Sequence, residues 1–425
     1  MTTAPTAPPA EGLRLSCANR EGVTPVPTRL DAILPADHTA RLIWDALTLL
    51  DLTAFYASVR VSNTGPGRSA IDPKLLLALW VYATAEGESS ARHISELCVC
   101  HLGYMWLCGG VTVNYHTLSD FRVQHAAAME ALFTELVGHL LVAGLVDLEH
   151  VAQDGLRVRA SAGAASFRRQ PTLEAGLVEA QAVWASLPAT SDTPTKPQAA
   201  QARAARERVA HLEAALAAMP AARAAKQTET EKAEARVSTT DADARVMKMA
   251  DGGFRPAYNF QFAADTQQRV IVGVDVTTQG SDMGQAVPMV AQVGECCGQL
   301  PDDWLMDGGY SDLRSIDRCQ AKGVRVLAPV RASKIADRDP HTPRPDDSPA
   351  VAAWRARMAT DEAKATYKLR AATIECVNAH ARGRFGLQQL LVRGLAKVKC
   401  VAYWIASTHN LLLWIKQRQR ACVTP

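Results

Sequence analysis

The stretch Trp304-Leu305-Met306-Asp307-Gly308-Gly309-Tyr310 reads as a short apolar strand that delivers one carboxylate to its C-terminal end and then turns on two glycines. Paired glycines permit backbone angles closed to other residues and let a bulky ligand approach the main chain. Asp307 is therefore expected at a sheet edge, facing a cleft. Working outward, Val151-Ala152-Gln153-Asp154-Gly155-Leu156 repeats the arrangement of apolar strand, Asp and Gly. A third acid, Glu375, closes the run Tyr367-Lys368-Leu369-Arg370-Ala371-Ala372-Thr373-Ile374-Glu375.

Phosphodiester chemistry uses divalent cations held by oxygen ligands, one polarising the attacking hydroxyl and one stabilising the leaving oxygen. Acids on separate elements that converge on one cleft meet that need. The competing reading is that these three, out of 43 acidic residues, simply solvate the surface. Composition narrows the classes without choosing between them. At 425 residues, with 48% hydrophobic and 21% charged side chains, the chain is globular and long enough for two or three domains, each with its own core. The net charge of +3 is too weak a field to hold nucleic acid, so any such ligand needs local basic patches. Cys98, Cys100 and Cys108 with His101 lack the paired Cys-x-x-Cys spacing of structural zinc and read as reduced thiols on helices, as in a cytoplasmic protein. No run supplies the roughly 20 apolar residues of a membrane helix. Val401 to Ile415 comes nearest but carries His409 and Asn410.

Along the chain, residues 1–28 are Pro-rich and read as a flexible leader. Residues 29–145 read as helical. One helical pattern runs from His38 to Tyr56, closed by the Asn63-to-Gly67 cluster. A second starts at Asp72 as N-cap with Pro73, and a short one follows Ser89 and Ser90. A long one starts at a Thr117/Asp120 capping box and runs to Gly144. Arg92 and Arg122 in this region either touch DNA phosphates or belong to a solvated helical face. His150 to Ser161 alternates as a strand. Residues 170–236 carry apolar positions Ala202, Ala205, Val209, Leu212, Leu216 and Met219 at spacings of three and four, a coiled-coil seam, and fold into a helical hairpin across the loop between Pro188 and Pro197. Beyond Gly252-Gly253 the pattern predicts a hairpin of two strands, Ala257 to Ala264 and Arg269 to Thr277. A helix beginning at Asp282 follows, then the Asp307 strand, a helix from Asp312 to Ala321 and a strand from Val324 to Val330. Asp337 to Pro349 reads as a loop. Helices complete the chain over Ala352 to Tyr367, around Arg370 and Glu375, and over Leu387 to Lys416, and residues 417–425 form a tail. A hairpin mixed with crossover helices predicts a mixed α/β sheet.

Asp154 in Gln-Asp-Gly, Asp307 in Met-Asp-Gly-Gly-Tyr, and Glu375 preceded by Tyr367 and Arg370 resemble the three acids of the DDE transposases of bacterial insertion sequences. The run Tyr258-Asn259-Phe260-Gln261 with its second strand is similar to their hairpin. The tail Val392-Arg393-Gly394-Leu395-Ala396-Lys397-Val398 followed by His409-Asn410-Leu411 is similar to their C-terminal helices. The resemblance covers residues 30 to 416.

It implies an α/β, RNase H-like mixed sheet with flanking helices over residues 146–169 and 237–416, preceded by an all-α domain over 29–145 and interrupted by the hairpin at 170–236. It implies Asp154, Asp307 and Glu375 as catalytic residues and ligands of two Mg²⁺ (or Mn²⁺) ions. Tyr367, Arg370, Arg382, Arg92 and Arg122 are the expected contacts to DNA. A basic residue is common about two helical turns after the Glu. Here the sixth position holds Ala381, with Arg382 and Arg384 nearby. The implied partners are double-stranded DNA, both terminal repeats and target, and a second copy in a synaptic dimer; no membrane is involved, and the protein acts in the cytoplasm at the nucleoid.

Overall fold

The structure, a computed structural model, describes residues 29–57, 59, 70–187, 195–332 and 339–423. The leader 1–28, the 63–67 cluster, Pro188 and the start of the 337–349 loop lie outside the described residues.

Five strands build the core of a mixed sheet: β1 (His150–Arg159), β3 (Phe254–Asp265), β4 (Ile271–Thr277), β5 (Asp303–Leu305) and β6 (Arg325–Leu327). β2 (Arg245–Lys248), which carries no clear alternation, adds to the edge of β3 beside β4. The spatial order is β4-β3-β1-β5-β6. β3 runs antiparallel to both β1 and β4, and β1, β5 and β6 run parallel. This order, with its single reversed strand, is the RNase H-like sheet. β3 is buried from Pro256 through Asp265, which suits a strand covered on both faces and explains its aromatic and alanine content. Parallel strands need crossover connections. The helix Ala286–Cys297 lies between β4 and β5, and Leu313–Ala321, capped by Asp312, joins β5 to β6.

The N-terminal region is helical. Its centre is Pro73–Ala85, with Asp72 accepting from the Lys74 amide and Pro73 in the first turn. Almost every residue of that helix is buried, so helices must surround it. The expected long helix from Thr117 is two helices, Tyr115–Gln124 and Ala126–Val142, because His125 leaves helical geometry between them. Asn114, not Thr117, caps the first by accepting from the Thr117 amide. The His38-to-Tyr56 pattern likewise divides into Thr39–Leu47 and Thr53–Tyr56.

The N-terminal helices and the sheet do not have separate cores. One hydrophobic cluster runs from Leu34 through the sheet to Ile415. The C-terminal helix Leu395–Val423 unites the two parts, packing on the N-terminal helices and on β4 at once. Asn410 closes that seam: its amide nitrogen donates to the Ile271 carbonyl at 2.7 Å while its oxygen accepts from the Ile271 amide at 2.9 Å. The segment Val401 to Ile415 is thus apolar because it is interior. Among the described residues no helix is long and apolar enough to cross a membrane.

The second cluster belongs to the hairpin. Gln170–Ser186 and Lys196–Ala224 pack together through Leu173, Ala180, Val209, Leu212, Ala215 and Met219; of the expected seam Val209, Leu212 and Met219 are buried, Leu216 is partly buried against them, and Ala202 and Ala205 are only half-buried.

Candidate active site

Ladder register brings the two aspartates together. β1 and β5 pair in parallel as Val151 with Trp304 and Ala152 with Leu305, so Asp154 and Asp307 each stand two residues beyond paired neighbours. Asp307 lies just past the end of β5. Its Oδ1 accepts from the Gly309 amide at 2.7 Å, and its backbone carbonyl accepts from the Tyr310 amide at 3.2 Å, so the Gly-Gly turn orients the carboxylate. Side chains alternate along β1. Asp154 therefore shares a face with Leu156 and Val158, while Gln153, Gly155 and Arg157 point to the other face.

Glu375 arrives on a continuous helical segment that packs over Asp154. It comprises an α-helix Asp361–Arg370, a π turn Ala371–Glu375, an α turn Cys376–Ala379 and a second π turn His380–Arg384. The first π turn decides the geometry. Residues five apart point about 140° away from each other in a regular α-helix, whereas an i→i+5 turn stacks them on one side. Arg370 and Glu375 are five apart, and the widened turn brings both to the acids. Arg370 Nη2 stands 3.1 Å from Asp154 Oδ1, and its Nη1 stands 3.5 Å from Glu375 Oε1. Asn378 donates to Asp154 Oδ2 at 3.1 Å. Tyr367, one turn before Arg370, sits in the field of all three acids, and burial raises its phenol pKa.

Burial is also what raises the Asp154 carboxyl above the usual Asp value. The Arg370 guanidinium opposes that shift, and Asp307 and Asp282 reinforce it. Asp282 is a site residue that sequence reading misplaced. It was expected to begin a helix, but that helix starts at Ala286 because the Asp282 carboxylate is engaged with side chains of the sheet. Its Oδ1 accepts from Asn259 at 2.6 Å and Gln261 at 2.8 Å, and its Oδ2 pairs with Arg157 at 3.1 Å. Gln261 also accepts from Tyr310 and, at 3.0 Å, from Gln153, which in turn accepts from Trp304 at 3.1 Å. This buried ladder lies beneath Gly155. A Cβ at residue 155 would collide with Asp282 Oδ1 and stand 2.8 Å from both Asn259 Oδ1 and Gln261 Nε2. Asp-Gly at 154–155 is therefore a packing requirement. Asn378 was missed as well, though its place one turn after Glu375 on a helix was the available signal.

Of the other expected contacts, Arg382 is exposed and Ala381 is buried; Arg384 is exposed too, with its guanidinium 5.8 Å over the Phe385 ring. Arg92 is exposed with its guanidinium 5.0 Å over the Tyr115 ring. Arg122 is turned inward: it donates to the Ser89 carbonyl at 2.8 Å and lies 4.6 Å over Trp80, so packing accounts for it. Arg370, expected on a DNA phosphate, is bound to the acids.

Residues 232–411 match the family described as the transposase DDE domain, and residues 28–124 match a family described as a transposase domain. The chain belongs to the DDE transposases of insertion sequences. No curated protein and no solved structure matches the chain. The DDE match contains Asp307 and Glu375. Asp154 and the helical hairpin fall between the two matched regions of this transposase.

A divalent cation suits the donor set. Asp154, Asp307 and Glu375 offer only oxygen, the ligand of Mg²⁺ and Mn²⁺, and the Asn378 Oδ1 is a buried oxygen with no hydrogen-bond partner among the described residues. As they stand, no three acidic, His or Cys side chains of the described residues group as metal ligands, since Arg370 lies between Asp154 and Glu375.

Proposed function

We propose that the transposase binds the terminal inverted repeats of its element, cuts phosphodiester bonds at their ends and joins the freed ends to target DNA. What supports this reading is that Asp154 and Asp307 each stand two residues past paired neighbours of parallel strands, that Glu375 shares Arg370 with Asp154, and that Tyr367 lies in the field of all three acids. Asp154, Asp307 and Glu375 would hold two Mg²⁺ or Mn²⁺ ions. When bound, the ions supply Lewis-acid activation of the attacking and leaving oxygens. The protein's own groups do the positioning. The Gly309 amide fixes Asp307, Asn378 fixes Asp154, and Tyr367 with Arg382 lines the approach of the phosphate backbone. Water attacks phosphorus at the element's end and releases a 3′-hydroxyl. That hydroxyl then attacks a target phosphodiester in line, displacing a second 3′-oxygen.

The exposed Arg92 belongs to the surface that would track the repeats, and pairing two ends calls for a dimer in the synaptic complex. The protein would act on double-stranded DNA at the nucleoid.

The test is cleavage of a labelled duplex carrying the element's end, with Mg²⁺ and with EDTA, for the wild type and Asp307→Asn. Metal-dependent 3′-hydroxyl ends that vanish in the variant, with DNA binding retained, support the acid site. Joined products establish strand transfer. Binding without cutting under Mg²⁺ or Mn²⁺ overturns the proposal in favour of a DNA-binding relic, and cutting without joining reduces it to a nuclease.

A further inference from the structure

Arg370 combines three features that a permanent structural arginine does not need together. It touches two of the three acids, at 3.1 and 3.5 Å, and its side chain is only 11% exposed. A guanidinium cannot shed its proton, so this charge must be balanced where it sits. Yet it is poorly satisfied: the Glu375 contact is longer than a hydrogen bond, and Nε is buried with no partner among the described residues. Asp154 would remain oriented without it, because Asn378 holds the other carboxylate oxygen. Glu375 is 59% exposed, which leaves the pair open on the solvent side.

We propose that Arg370 is the resident counter-ion of the acid site and exchanges with the divalent cation, so that cation loading frees its guanidinium for a DNA phosphate. This rests on the reading of Asp154 and Glu375 as cation ligands. The two positive groups compete for Asp154 Oδ1 and Glu375 Oε1, and like charges at that separation repel. Released, the guanidinium has a forked donor set suited to a phosphate. Cation binding and DNA binding are then positively linked, and by thermodynamic necessity each strengthens the other by the same factor.

The experiment uses the full chain and Mn²⁺. Mn²⁺ affinity is measured without DNA by the loss of the free-ion electron paramagnetic resonance signal, for wild type, Arg370→Gln, Arg370→Lys and Asp154→Asn, each checked for folding by circular dichroism. Arg370→Gln is expected to bind Mn²⁺ about tenfold tighter than wild type, within the usual range of coupling between sites. Arg370→Lys, a point charge unable to bridge both carboxylates, is expected to tighten about threefold. Fluorescence anisotropy of an end duplex should show an Mn²⁺-dependent gain in affinity for wild type that Arg370→Gln lacks. Unchanged or weaker Mn²⁺ binding by folded Arg370→Gln overturns the inference. If that variant does not fold, Arg370→Lys decides by the same comparison. If Asp154→Asn leaves Mn²⁺ binding intact, the acid reading itself fails, an outcome distinct from Asp154→Asn weakening the ion while Arg370→Gln does not tighten it.

Discussion

Adding one methyl group at residue 155 tests the architecture beneath the acids. In Gly155→Ala the new Cβ meets Asp282 Oδ1, Asn259 Oδ1 and Gln261 Nε2, and none is the free end of a flexible chain. The Asn259 and Gln261 side chains are fixed on β3 by their bonds to Asp282, and Asp282 is held by Arg157. Room can come only from moving Asp282, which loosens two hydrogen bonds to a charged acceptor at roughly 1.5 kcal/mol or more each. Overpacking adds about 1–3 kcal/mol, and the ordinary preference for Ala over Gly in a strand returns about 0.5–1 kcal/mol. The net expectation is a loss of about 3–5 kcal/mol in urea unfolding, with DNA cleavage reduced because Asp154 is the next residue. Gly155→Ala combined with Asp282→Ala removes the collision, so the double variant should be less destabilised than the two single changes summed. A Gly155→Ala protein within 0.5 kcal/mol of wild type, or strict additivity in the double variant, would refute the argument that the ladder occupies that space.

Deleting Ala371 from the first π turn should restore a regular helix with little loss of stability by thermal melting, and leave Arg370 and Glu375 four apart, within about 40° of each other on the same face. Cleavage should then stay within about tenfold of wild type, and a loss on the order of a hundredfold would sink the role given to that turn. Gly386→Ala places a Cβ 2.5 Å from the Gly87 carbonyl at a residue with φ +68°, so it should destabilise by more than about 1 kcal/mol and be visible in urea unfolding. His409 is buried and donates to the Arg269 carbonyl at 2.8 Å, and burial pushes its pKa down to about 4. An unfolded His titrates near 6.5, so the unfolded chain binds more protons between pH 6.5 and 4, and this residue's contribution is lost as pH falls through that window. Asp265, raised by burial to about 6, acts in the opposite sense below pH 6. The clean measurement is therefore the difference between wild type and His409→Gln, whose acid sensitivity from pH 6.5 to 4 should be smaller; parallel curves would refute it.

What could be read from the chain follows the range over which each signal acts. Asp72-Pro73, the 254–277 hairpin and the seam at Val209, Leu212 and Met219 are local patterns, and each forms as its spacing predicts. The position of Asp307 just past the end of its strand was legible because Asp-Gly-Gly leaves a chemical and a conformational mark together, whereas Asp154 stands inside β1. The failures have a common cause. Asp282 reads locally as a helix cap, and only Asn259 and Gln261 of β3, out of reach until the sheet closes, claim its carboxylate instead. Arg122 reads as a surface cation until Trp80 and the Ser89 carbonyl are found against it.

The π turn is the sharpest case, because nothing in Ala371-Ala372-Thr373-Ile374 departs from an ordinary helix. An isolated peptide of that sequence gains nothing by widening, since one turn of i→i+5 bonds forgoes the regular i→i+4 pattern. The widened turn is selected by what it brings to the sheet: Arg370 reaching Asp154 from one side of the turn and Asn378 reaching the same carboxylate from the other. The side chains that bracket the turn hold its phase, and through it the placement of Glu375. It follows that Asp154, besides being a candidate ligand, is the anchor that sets where the third acid stands. Asp154→Ala should therefore relax the 371–375 segment as well as empty the site, with hydrogen exchange rising at the Thr373 to Asn378 amides while those of Asp361 to Lys368 stay protected. Unchanged exchange at Thr373 to Asn378 would show that the helix keeps its widened turn without the carboxylate.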